Sequence, residues 1–176
     1  EGNTAGSNGG GLESINGASV LVENGATVII TNNEASAYGG GLYSQSGSHV
    51  SVENGAKLFI TNNTAGERGG GLAMHNCSLV VETGAVLEFA NNSAAHSGGV
   101  FLQDVGTTLH ASGEGTQLRV EGNTAGSAGG GLVSIGGASV LVENGATVVI
   151  AKNEASRSFS GGVLLDDVGT TLHASG

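Results

Sequence analysis

One pattern recurs six times along these 176 residues and limits what the chain can become. An Asn is followed two residues later by Ala, and then by a glycine run that ends on an aliphatic residue. The Asn stands at Asn3, Asn33, Asn63, Asn92, Asn123 and Asn153, in steps of 30, 30, 29, 31 and 30. The run closes on Gly11, Gly41, Gly71, Gly99, Gly131 and Gly162, and the next residue is always Leu or Val. A fixed period of this size signals stacked units rather than one globular core.

Within a period, turn signals separate short apolar runs. In the first, Leu12 to Ile15 precedes Asn16-Gly17, Ser19 to Glu23 precedes Asn24-Gly25, and Ala26 to Ile30 leads back to Asn33. Asn-Gly pairs tolerate positive φ and mark tight turns. Val, Ile, Thr, Ser and Asn dominate, Pro is absent, and helix-forming runs are missing, which favours strands. The spacing predicts an all-β, right-handed parallel β-helix of about six coils of ~30 residues, with three short strands per coil. Alternation points Ala56, Leu58 and Ile60 inward on one third strand and their equivalents inward on the others, so that aliphatic columns form the core. The Asn residues are expected to form a ladder from coil to coil, and the glycines to permit close approach at a corner.

The chain reads as a single β-helix segment, 1–176, of a longer repeat protein. Residues 1–36 match 121–156 at 30 of 36 positions, and 100–113 match 163–176 at 12 of 14. The second pair carries a variant turn, Asp104-Val105-Gly106, repeated as Asp167-Val168-Gly169. In its first copy the link to the third strand gains Glu114-Gly115 and is expected to protrude. This divides the segment into a four-coil block, 1–120, and a two-coil block, 121–176.

Charge and composition narrow the function. The net charge is −10 with five Lys plus Arg, so the basic footprint of a nucleic-acid binder is missing. No apolar run is long enough for a transmembrane helix. Cys77 has no partner for an internal disulfide and reads as a small buried hydrophobe. Asp104, Asp166 and Asp167 would be candidates for sugar cleavage on such a fold, but two of them repeat one turn position, which turn formation explains better. A row of Glu23, Glu53, Glu82 and Glu143 could share calcium between coils; splaying into water is the simpler reading, and no cofactor is expected. The five histidines read as surface or edge residues without metal-ligand spacing. Threonines do not form the regular array of an ice-binding face. Asn62, Asn76 and Asn91 head N-glycosylation acceptor patterns, so glycans are candidate modifications.

Alternation also sets Tyr43, Phe101, Val133 and Leu164 outward on the first strand, and Ile29, Phe59 and Val149 outward on the third. Large outward apolar residues imply lateral contact with another copy, or cover by another segment of the parent protein; scattered surface aliphatics are the plain alternative. Strand edges at the ends of the stack add an end-to-end mode of self-association.

Phe89-Ala90-Asn91-Asn92, Phe59-Ile60-Thr61-Asn62 and Gly70-Gly71-Leu72 with its copies resemble the repeats of chlamydial polymorphic outer membrane proteins and related surface proteins. Those carry Phe-x-x-Asn and Gly-Gly-Ala followed by an aliphatic residue. Phe59 stands one place out of register, and Gly replaces the usual Ala. The resemblance implies a right-handed β-helix on an extracellular or cell-surface protein, often an adhesin passenger. The leading expectation is therefore a non-catalytic structural module, elongated or filament-forming. An adhesin that binds a host or neighbouring cell surface is second, and a carbohydrate-active enzyme third.

Overall fold

The computed structural model describes residues 1–157 and 160–175. Among these every regular element is a strand, and the strands form four parallel sheets. The first-strand sheet contains Leu12–Ser14, Leu42–Gln45, Leu72–His75, Val100–Gln103, Leu132–Ile135 and Val163–Leu165. The second-strand sheet runs from Ser19–Val22 to Thr171–Ala174 in six strands. The third-strand sheet runs from Thr27–Thr31 to Thr147–Ala151 in five. A fourth sheet was not expected. Its strands, Thr4–Ala5 through Glu154–Ala155, are mostly two residues long and lie at the corner just after each ladder Asn.

Each strand pairs with its equivalents in the coils on either side. Leu72 lies opposite Leu42 and Val100, Leu79 opposite Val50 and Leu109, and Leu87 opposite Leu58 and Leu118. Alternation then sends these residues into one continuous core, where they and Ile60, Phe89 and Val120 are buried. Each full burial of such a side chain stabilises the fold by about 1.5–3 kcal/mol. Phe89 stacks on Ile60, whereas Phe59 pairs with Glu88 on the outside, so the offset between the two Phe residues exchanges an inward for an outward position.

The variant turn follows a different construction from the one expected. The register leaves four residues, 113–116, between the second and third strands, where the neighbouring coils have three. The link grows by one residue, not two, and the other extra residue lies before the second strand, in 104–107. A longer corner pulls a carbonyl out of reach of the coil before it. A threonine hydroxyl fills the gap. Thr116 Oγ1 donates to Ser112 O (2.9 Å) and accepts from Gly84 N (3.1 Å). Thr107 bridges Gln103 O and Asn76 N in the same way, as Thr170 does Asp166 O and Gly137 N. Gly176, the last residue of the second copy, lies outside the described residues.

Candidate functional site

The ladder Asn residues form a buried column. Asn63 donates from its backbone N and its Nδ2 to Asn92 Oδ1 at 2.9 and 3.1 Å, and from Nδ2 to Ile30 O at 3.0 Å. Its own Oδ1 accepts from Asn33 N and Nδ2, both at 2.9 Å. Two amide protons and two lone pairs are thus all used, which is the full capacity of the side chain. Asn3, Asn33, Asn92 and Asn123 likewise donate from Nδ2 to the Oδ1 of the next Asn, and Asn92, Asn123 and Asn153 also donate to a carbonyl of the coil before. An aspartate would bring buried charge and lose the donors; a serine would be too short to bond both coils.

The three glycines of a run have separate reasons. Gly69 adopts φ +63, and a Cβ on it would strike Leu72 and Ala73. A Cβ on Gly70 would come within 2.3 Å of Ser93 O in the next coil, and one on Gly71 within 2.9 Å of Asn92 Nδ2. The last glycine therefore makes room for the ladder. Gly11, Gly41, Gly99, Gly131 and Gly162 occupy the same place, the last of them with looser surroundings.

The outer face of the first-strand sheet is where expectation and structure part. Tyr43, Phe101 and Val133 point away from the main core as alternation requires, yet they are only 5%, 2% and 5% exposed. With Ala73 they form a second apolar cluster, against which Tyr38, Ile135 and the half-buried Leu164 pack. The expected exposure of these three residues is absent: in the folded chain they are buried. The cover is the chain itself. After each corner strand the backbone runs back over the outside of the next first strand before it turns in at the glycines. It passes so close that a Cβ on Gly39 would lie 2.9 Å from Tyr43 Cα, and one on Gly129 would collide with Val133.

His75, expected at the surface or an edge, lies inside this layer. Its ring packs 5.8 Å from the Tyr38 and Tyr43 centroids and 5.6 Å from that of Phe101. Burial lowers its pKa and outweighs the opposite pull of Asp104, 3.7 Å away. Its Nε2 is buried without a hydrogen-bond partner. Burial, with Glu13 next in effect, raises the Tyr43 phenol, whose hydroxyl donates to Gln45. The Arg68 guanidinium lies 4.9 Å over the Phe101 ring. Beside it opens an apolar groove of about 150 Å³ between Phe101, Val133, Ile135 and Leu164, with Arg68 and His96 on its rim. A second cleft shares His96 and adds Ser127, Ser156 and Arg157.

The outer face of the third-strand sheet has no such cover. Ile29 is 60% exposed, Phe59 and Val149 are half-buried, and Arg119 pairs with Glu88 and Glu121. Asn62, Asn76 and Asn91 are all exposed at positive-φ turn positions, which places the acceptor patterns on the surface. Asp104 and Asp167 also adopt positive φ, and Asp167 accepts a bond from Gly136 N (3.2 Å). Of the glutamate row, Glu53 accepts from Ser51 and Glu143 lies 3.3 Å from His110, while Ser112 interrupts the row. Among the described residues no group of three His, Cys, Asp or Glu is placed to hold a metal ion. Cys77 is buried, its thiol pushed up by desolvation.

No helix of the described residues is long and apolar enough to cross a membrane. The model of the right-handed β-helix region matches residues 6–175. No curated protein and no solved structure matches the chain.

Proposed function

The chain belongs to the right-handed β-helix family, and from that premise we propose that it is a rigid structural module of an elongated, self-associating protein displayed outside the cell. The observation that carries this reading is the uniform register through the coils. The residues that recur are consumed in holding one coil on the next: aliphatics in columns, Asn in the ladder, glycines at the corner. At about 4.8 Å per coil the stack is roughly 28 Å long, a stiff spacer.

The likeness of its Phe-x-x-Asn and Gly-Gly-aliphatic repeats to those of chlamydial surface proteins supports display outside the cell, as do three exposed glycan acceptor patterns. The role needs neither catalysis nor a cofactor. Asp104 and Asp167 both adopt positive φ in their turns, and Asp167 accepts from Gly136 N, which supports a turn-forming role for them. Negative-stain microscopy of the native protein tests the proposal. Filaments support it, with fibre diffraction of aligned filaments expected to show the coil repeat near 5 Å; globular or dispersed single particles at every concentration oppose it.

A second reading, an adhesin, draws on the groove beside Phe101, where a cationic rim meets an apolar floor in an acidic molecule. Single rods that bind intact cells, with binding lost on Arg68→Glu, would favour it over the structural reading.

A further inference from the structure

Asn-Gly pairs are prone to deamidation, because a glycine has no Cβ to shield the backbone nitrogen that attacks the asparagine side chain. Asn16-Gly17, Asn24-Gly25 and Asn54-Gly55 are such pairs. All six residues are exposed, and no neighbouring atom lies within 4 Å of where a Cβ on any of these glycines would stand. By exposure alone they are the most vulnerable points of the coils.

Hydrogen bonds close what exposure leaves open. The asparagines adopt φ of 54 to 58 and the glycines 72 to 76. Ala18 N donates to Ile15 O (3.2 Å), Ala26 N to Glu23 O (3.0 Å) and Ala56 N to Glu53 O (3.1 Å). These are type I′ turns. Gly17 N then donates to Ser46 O, Gly25 N to Asn54 O and Gly55 N to Thr83 O, each at 3.0 Å. Every one of these acceptors belongs to the next coil. The nitrogen that would attack is thus the one that holds the next coil in place. Ring closure also turns the Asn-Gly peptide plane about the Asn Cα–C bond, and that rotation pulls the N–H off its carbonyl.

We infer that Asn16, Asn24 and Asn54 are modification sites that stacking keeps closed and that open when the following coil separates. The freed glycine nitrogen loses its proton and bonds to the Asn Cγ, and the side-chain amide leaves as ammonia. Water opens the resulting succinimide at either carbonyl, giving aspartate or isoaspartate, with no oxidant or reductant involved. Isoaspartate routes the main chain through the side-chain methylene, so the turn gains a backbone atom. At Asn24 and Asn54 either product sets a new carboxylate next to Glu23 or Glu53, where like charges in successive coils repel. A coil that has reacted no longer fits its turn, and its separation becomes permanent. The chain also holds an inert version of the same turn. Thr83 takes the Asn place at φ 54, and Gly84 N donates to Thr116 Oγ1 of the next coil.

Peptide mapping of isoaspartate in the whole chain, incubated at mildly alkaline pH, tests this. In the folded parent isoaspartate at Asn24 and Asn54 should accumulate at least about tenfold more slowly than in concentrated urea, since reaction waits on local opening. Val81→Ala leaves a cavity in the coil that supplies Thr83 O, and should speed reaction at Asn54 several-fold and at Asn16 less. Asn54→Thr should abolish the product at that turn and leave the β-sheet circular dichroism unchanged. Equal rates in the folded and urea-unfolded parent would overturn the inference. So would equal acceleration at Asn16 and Asn54 in Val81→Ala, which would remove the next coil as the gate. Should Val81→Ala fail to fold, the urea comparison in the parent still decides. Neither outcome bears on self-association.

Discussion

Tyr43, Phe101 and Val133 lie beneath a layer of their own chain, while Ile29, Phe59 and Val149 lie on an open sheet of the same coil stack. Both sets face away from the main core. What separates them is the connection that leads into each strand. Four residues, 23–26, join the second strand to the third around a tight Asn-Gly turn, and they leave the next face bare. The link from Asn33 to Leu42 is longer, detours over the outside, and turns in only at Gly39-Gly40-Gly41. The lesson is that alternation settles which way a side chain points, but the route of the preceding link settles whether it meets water.

Four substitutions or conditions would break or sharpen this contrast. The largest effect should come from Asn63→Asp, which attacks the column on which both faces depend. It buries a carboxylate without enough donors, and the urea midpoint should drop by the equivalent of at least about 3 kcal/mol. Next come Phe101→Ala and Phe59→Ala as a pair. Loss of the covered ring should cost about 3–5 kcal/mol, and loss of the open one less than about 1 kcal/mol, by denaturant unfolding. Equal losses would end the contrast.

The covered layer should also respond to acid. The pKa of His75 is lowered in the folded chain, so the unfolded chain takes up a proton first as pH falls through the ordinary histidine value of about 6.5. The stability that neutral His75 supports is complete above that value and is lost as pH falls toward the depressed one. Melting temperatures taken from about pH 8 down to about pH 5 should fall more steeply in the parent than in His75→Phe. The smallest expected difference lies between the two arginines. Arg68→Ala, which uncovers Phe101, should cost about 1 kcal/mol and resist salt. Arg119→Ala, on the open sheet, should change stability by less than about 0.5 kcal/mol, with an effect that shrinks further in high salt.

The ladder and the columns are readable in the sequence because each position returns once per coil, and a residue needed six times declares its role. The first-strand cover is not. The segment that provides it, such as Ser36 to Gly39, has no apolar period and looks like an ordinary loop. The one clue is that Tyr38, a large aromatic, stands in that loop. The corner strands are also invisible, since Thr4–Ala5 or Thr124–Ala125 is too short to show alternation. At the variant turns the signal was present in Thr107 and Thr116. They stand near Cys77 and Ala85 of the coil before, and a hydroxyl at a buried small-residue site points to a carbonyl that needs it. His75 left no trace, because nothing in its neighbours along the chain foretells the aromatic rings that surround it.

The Asn column also has a sense. From Asn33 to Asn153 each Oδ1 accepts from the coil before, and from Asn3 to Asn123 each backbone N–H donates to the coil after. The amide dipoles therefore add along the axis instead of cancelling, and the solenoid is a vector. An inverted coil would set oxygen against oxygen, so whatever prolongs this stack must enter in the same orientation, nose to tail.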